Sequence, residues 1–174
     1  YVILLPVIGA IEYSDMLGQE NLIAAGQIQL LAFEKGSTIR IRNPFKDEAV
    51  NFIQVWIKAD GKTAAHYTSP GTYDVNHFMN CLMRITPSQV GEQSIPFNFS
   101  IGKFSGRGET IHPIRNNNAG FFVFVLAGAF EVEGRLLHAR DGLALWGIQE
   151  AEMEALSNDA MMLAIETPFT FSEA

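Results

Sequence analysis

Few side chains in this sequence can do covalent or metal chemistry. There are four histidines, His66, His77, His112 and His138, and one cysteine, Cys81. First-row transition metals need several deprotonatable nitrogen, oxygen or sulfur donors brought together. No two of these histidines stand two residues apart, the spacing that puts a pair on one face of a strand. His66 and His77 fall in a polar stretch, His112 precedes Pro113 in an extended segment, and His138 ends a hairpin. Cys81 opens an apolar run without an adjacent His or basic residue to favour its thiolate, so it reads as a buried thiol. Gly106-Arg107-Gly108-Glu109 suggests an anion-binding nest. The extended Thr110-Ile111-His112-Pro113 follows it, however, where a phosphate loop needs a helix and a Lys-Ser/Thr step.

The elements that must position these residues are strands. Short β-rich runs recur between Gly, Asn, Asp and Pro. They are Gln27–Leu30, Thr38–Arg42, Val50–Ile57, Leu82–Ile85, Phe97–Ile101, Phe121–Leu126, Phe130–Val132, Leu143–Trp146 and Met161–Ile165. This spacing predicts an antiparallel sandwich or barrel. An internal repeat predicts two halves. Val7-Ile8-Gly9-Ala10-Ile11-Glu12-Tyr13 matches Leu126-Ala127-Gly128-Ala129-Phe130-Glu131-Val132. A turn glycine follows each copy (Gly18, Gly134), and then a Gly-containing step before the next strand, Ala25-Gly26 or Asp141-Gly142. Such tight turns favour the positive φ of glycine. The polar stretch from Asp60 to Asn80 reads as the connection between halves.

Composition sets limits. The 174 residues are 48% hydrophobic and 18% charged, which describes a folded chain. Nineteen acidic against 12 basic residues give a net charge of -7, unsuited to broad contact with nucleic acid or an anionic membrane. One cysteine excludes an internal disulfide. The longest apolar run, Val2–Ile11, is broken by Pro6 and Gly9 and falls short of the ~18 residues of a spanning helix. A cytoplasmic location is expected. The chain opens at Tyr1 inside a strand-like run, so a preceding stretch is expected to be missing.

Three stretches carry a resemblance. They are Gly9-Ala10-Ile11-Glu12-Tyr13-Ser14-Asp15-Met16-Leu17-Gly18, Ala24-Ala25-Gly26-Gln27-Ile28-Gln29, and Asn43-Pro44-Phe45-Lys46-Asp47-Glu48 running on to Gln54-Val55-Trp56. Together they resemble the pirin and quercetinase-like bicupins over nearly the whole chain. The resemblance implies an all-β fold of two tandem cupin jelly rolls, the first incomplete at its N-terminus. The expected division is residues 1–60 for the first cupin, 61–80 for the connection and 81–174 for the second.

In that family the first barrel holds one metal through three His and one Glu. Counted back from Asn43-Pro44, one His and the Glu correspond to Ile39 and Ile41. Both would face the barrel interior, with Arg40 and Arg42 pointing the other way. In the second barrel the cupin positions fall on Arg115, Asn117 and Phe121. The resemblance therefore implies a member without metal ligands, with no catalytic residue and no cofactor. Arg115, Asn117, Phe121 and His112 are the candidate lining of a second-barrel pocket. Phe121, Phe124, Leu126, Trp146 and Leu163 are expected to pack its interior.

The expected function is a small-molecule-binding or protein-interaction module, including the transcription-cofactor role that some pirins imply. Neither direct nucleic-acid contact nor membrane contact is expected. Open sheet edges would permit self-association. The alternative is a quercetin 2,3-dioxygenase-like enzyme, which would need Fe or another divalent metal.

Overall fold

A computed structural model describes residues 1–14, 18–58, 67–90, 93–115 and 119–168. Their regular structure is entirely strand. The chain divides into two compact units, Tyr1–Tyr73 and Asp74–Ala174.

In the first unit the strands are β1 (Val2–Ile8), β2 (Ala10–Ser14), β3 (Glu20–Ala24), β4 (Gln27–Ala32), β5 (Arg40–Arg42), β6 (Asn51–Trp56) and β7 (Tyr67–Thr72). They form two antiparallel sheets, ordered β6-β1-β4-β7 and β3-β2-β5. Val2, Leu4, Ile11, Tyr13, Ile23 and Leu31 make a buried cluster of this unit. The stretch expected to be only a connection thus holds β7, at the edge of its sheet. Pro70 and Gly71 made it read as a turn, but an edge strand tolerates a residue with no N–H to donate.

The second unit contains β8 (Met83–Arg84), β9 (Gln89–Val90), β10 (Gln93–Ser94), β11 (Asn98–Phe104), β12 (Glu109–Pro113) and β13 (Ala119–Ala127). It continues with β14 (Ala129–Val132), β15 (Arg135–His138), β16 (Gly142–Trp146), β17 (Glu150–Ala155) and β18 (Ala160–Pro168). The main sheets run β16-β13-β18-β11-β8 and β12-β17-β14-β15. Between them lies a core that includes Phe104, Phe121, Val123, Val125, Phe130 and Met162. Phe104 and Phe130 meet edge to face at 5.3 Å between centroids. Of the residues expected to fill this interior, Phe121 does so, whereas Phe124, Leu126 and the buried Leu163 alternate with the inward Phe121, Val123, Val125, Met162 and Ala164 and so lie on the other face of the sheet. Trp146 is a correction: it is 57% exposed, because β16 is an edge strand and Trp146 ends it.

The repeat is visible as a shared corner. Gly9 (φ 78°) passes the chain from β1 in one sheet to β2 in the other, and Gly128 (φ 77°) does the same between β13 and β14. A shift of register lies just before each, between Pro6 and Ile8 and between Val125 and Ala127. A bulge increases twist and bends the strand, and glycine adopts the left-handed conformation without a Cβ penalty. Gly142 differs from the turn role expected of it. The positive φ falls on Arg140, and a Cβ on Gly142 would approach the Phe122 ring to 2.9 Å.

The strand β17 is made of helix formers, Glu150-Ala151-Glu152-Met153-Glu154-Ala155, yet its strict alternation places Ala and Met inside and most of its Glu outside. Glu109 on β12 and Glu131 on β14 both stand opposite Glu154 in register. Arg107 pairs with Glu154 at 2.7 Å, and Glu133 Oε1 accepts the N–H of Glu152 at 2.7 Å. Like charges directly opposite each other destabilise a ladder. Replacing one, as in Glu131→Lys, is expected to raise stability by about 0.5–1 kcal/mol in low-salt denaturant titrations. Added salt should shrink that gain.

Candidate binding site

Ile39 and Ile41 are half-buried and pack against the first unit's cluster, while Arg40 and Arg42 are exposed. Ile39 just precedes β5, so the alternation of faces begins before the ladder does. Arg42 forms an ion pair with Glu12 and lies 3.7 Å from Glu20. These aliphatic positions offer no donor to a metal. Among the described residues, no group of three or more His, Cys, Asp or Glu gathers as a metal site would require. At Ile39 and Ile41, then, the ligand set that the fold family implies finds no donor.

The second unit holds a different kind of site, at one end of its barrel. Register places Phe121 of β13 and Asn98 of β11 on either side of Glu166 of β18. The inward series of β18 runs Ala160, Met162, Ala164, Glu166, so a carboxylate takes the position where the apolar series would continue. Glu166 is only 7% exposed and is the one buried acidic or basic residue among those described. A buried carboxylate is costly unless hydrogen-bonded. Its Oε1 accepts the backbone N–H of Arg115 at 3.1 Å.

From the facing sheet, β12 presents His112, which stacks on Phe121 with centroids 5.0 Å apart and planes 17° apart. His112 Nε2 lies 3.7 Å from Glu166 Oε2, beyond hydrogen-bond length. Burial holds the His112 imidazole below the usual histidine pKa. Glu166 opposes this shift and Arg115 adds to it. Arg84 stands opposite Ser100 in register, and its guanidinium donates to the carbonyl of Pro87 at 2.8 Å. Burial lowers its pKa first, then Arg115, with Glu166 opposing.

Glu166 also lines a cavity of about 180 Å³, together with Ile95, Phe97, Asn98, Ala119, Thr167 and Pro168. Two larger hollows lack a buried ionisable group. One, of about 710 Å³ beside Trp56 in the first unit, carries Lys35 and Lys58. The other, of about 300 Å³, lies over the glutamate rows of β12, β17 and β14.

Of the expected pocket residues, the structure brings His112 and Phe121 together and ties Arg115 to the same carboxylate through its backbone. Asn117 lies outside the described residues, as does His66. His77 packs edge to face on Phe78, and His138 lies 3.9 Å from Asp141 on the surface. The sequence reading missed Glu166 and Arg84. An acidic residue in phase with the apolar positions of a strand was the available signal for Glu166. For Arg84, in a two-residue strand, there was none.

The depressed pKa of His112 has a sign that can be tested. The unfolded chain takes up a proton at a pH where the folded site stays neutral. This contribution to stability is complete above the ordinary histidine value of about 6.5 and is lost as pH falls below it. The variant His112→Gln should flatten the fall in melting temperature between about pH 7 and about pH 5. An unchanged slope would show that His112 is not held neutral.

Residues 96–167 match the family model of the quercetinase C-terminal cupin domain. No curated protein sequence matches the chain. Among solved structures, YhhW from Escherichia coli superposes with a TM-score of 0.83 at 18% identity, covering 99% of this chain and 73% of that one. The same bacterial pirin in complex with nickel(II) gives 0.79 at 18% identity, covering 97% and 72%. A quercetin 2,3-dioxygenase from Acinetobacter baumannii gives 0.74 at 19% identity, covering 97% and 59%. At such identities the likeness is one of fold. Residues 96–167 thus match a quercetinase-type C-terminal cupin domain, and the chain as a whole has the two-unit, all-β fold of the pirin and quercetinase structures it superposes on.

Proposed function

We propose that this protein works without a metal and binds a small organic molecule at the mouth of its second barrel. The observation that carries the reading is Glu166, a carboxylate kept buried at the wall of a cavity beside a stacked imidazole. Buried ionisable groups are expensive, and a buried one in a cleft is a candidate for a functional position. Ile39 and Ile41 support the metal-free part, because an isoleucine side chain cannot ligate. The nickel of the YhhW complex and the activity of the Acinetobacter enzyme belong to those proteins. Fold alone does not transfer them. A cytoplasmic setting goes with this reading, since the single thiol Cys81 needs no oxidising compartment.

Elemental analysis of protein purified without chelator tests the metal-free part. Far less than one equivalent of Fe, Mn, Ni, Cu or Zn is expected. About one equivalent, with an oxygen-consuming activity lost on its removal, would establish the dioxygenase-like alternative instead. A protein-interaction role is the second reading. It is favoured by the glutamate rows of the second unit, whose charge suits a basic protein surface and not a nucleic acid.

A further inference from the structure

We infer that β16 is a docking edge for a second copy of this chain, the two strands pairing antiparallel about Ala144 so that one protomer's sheet runs on into the other's.

The first observation is the edge itself. Among the described residues β16 has one strand neighbour, β13, and it reads Gly-Leu-Ala-Leu-Trp, with neither a charge nor a proline. An open edge presents unpaired N–H and C=O groups, a template for a further strand, and folded chains guard it with charge, proline or shortness. The other edges of the larger sheets carry such guards: Pro70 on β7, Glu20 on β3, Arg40 on β5, Arg84 on β8, Glu109 on β12 and Arg135 on β15. Among those described edges, β6 alone shares the lack.

The internal repeat shows what this edge takes. β4 and β16 hold the same place in it, each antiparallel to the strand that leads into the glycine corner, β1 or β13. On its other side β4 carries β7, again antiparallel, with Gln27 opposite Thr72 and Ala32 opposite Tyr67. The matching side of β16 therefore has the geometry for an added antiparallel strand.

The pattern of β16 fits a copy of itself. Pairing about Ala144 sets Leu143 opposite Leu145, Ala144 opposite Ala144 and Gly142 opposite Trp146. A two-fold contact requires this reciprocity. Leu145 belongs to the core of the second unit and Leu143 packs against it, so the leucine pair continues an apolar inner face. On the outer face the Phe122 ring lies over Gly142, where an added Cβ would come within 2.9 Å of it. The second copy's Trp146 arrives opposite that glycine and meets Phe122. Trp146 is 57% exposed and Phe122 38%, and each would cover the other. The other unguarded edge does not match itself in this way: β6 reversed upon β6 sets Gln54 opposite Ile53 and Asn51 opposite Trp56.

The contact is small. Five residues and two aromatics per copy fall short of the ~1,200–2,000 Å² that stable interfaces bury, so the dimer is a weak and reversible one.

Sedimentation velocity on the whole chain tests this at about 0.15 M salt, which screens the repulsion between exposed charges of two copies at net charge -7 beyond about 8 Å. Between about 5 µM and about 500 µM the weight-average mass is expected to rise from one protomer toward two. Ala144→Lys sets like charges opposite each other at the two-fold and should raise the dissociation constant at least about fivefold. Ala144→Glu should do the same. Mixing the two variants brings opposite charges together and should restore association. Ala144 is exposed, so both variants should keep the urea midpoint of the unaltered chain, which shows that loss of association is not loss of fold. An unaltered chain that stays monomeric over the whole range would overturn the proposal. So would single variants that associate as the unaltered chain does, or a mixture that stays monomeric.

Discussion

Phe130→Ala is expected to cost about 3–5 kcal/mol of unfolding free energy, read as a lower midpoint at unchanged slope in urea. Phe130 is fully buried on β14, and its ring meets Phe104 edge to face. Truncation loses the transfer energy of the ring and leaves a cavity bounded by strands of both sheets, which cannot close on it. Part of the loss is the aromatic pair, worth about 0.5–1.5 kcal/mol beyond area. The same truncation at the half-buried Phe124 should cost clearly less. Equal losses would mean that burial in this barrel does not set the energy of its aromatics.

Gly128→Ala is the second large effect. At φ 77° an alanine costs about 1–2 kcal/mol on backbone grounds alone. Here the added methyl would also run into Ser157 Oγ and lie 2.9 Å from Ala160 Cβ. Ser157 Oγ accepts the N–H of Ala129 at 3.1 Å, so moving it aside unpairs a backbone donor at the start of β14. A total loss of about 3–4 kcal/mol follows. Gly134→Ala is the control. Its φ is 69° and nothing lies near its missing Cβ, so only the backbone cost of about 1–2 kcal/mol applies. Similar losses at both positions would remove crowding from the explanation.

Most of the strands were legible because alternation and turn residues mark them locally. The Gly9 and Gly128 corners were legible as a repeated motif. Trp146 was misread because hydrophobicity says nothing about which strand ends at a sheet edge. The segment β7 was hidden by Pro70 and Gly71, which signal a turn unless the partner strand is known. The candidate site was legible in part. His112, Arg115 and Phe121 were singled out one by one, yet what unites them is Glu166, far along the chain. Only the pairing of β13 with β18 sets Phe121 against it. Spacing along a strand finds residues of one element, whereas this cluster is drawn from several.

The shared corner has a consequence for chain length. In β1 the side chains of the inner cluster are even-numbered, Val2 and Leu4, and after Gly9 they are odd-numbered, Ile11 and Tyr13. In the second unit they pass from Phe121, Val123 and Val125 to Phe130 and Val132. Each bulge and glycine thus shifts the phase of a strand once, and that shift is part of the packing. Losing one residue at Gly9 would turn Glu12 and Ser14 inward and Tyr13 outward; losing one at Gly128 would bury Glu131 and Glu133. A hairpin tip such as Glu133-Gly134 can lengthen into solvent without altering which faces are inside. Insertions and deletions acquired in descent should therefore collect at the tips and spare both corners.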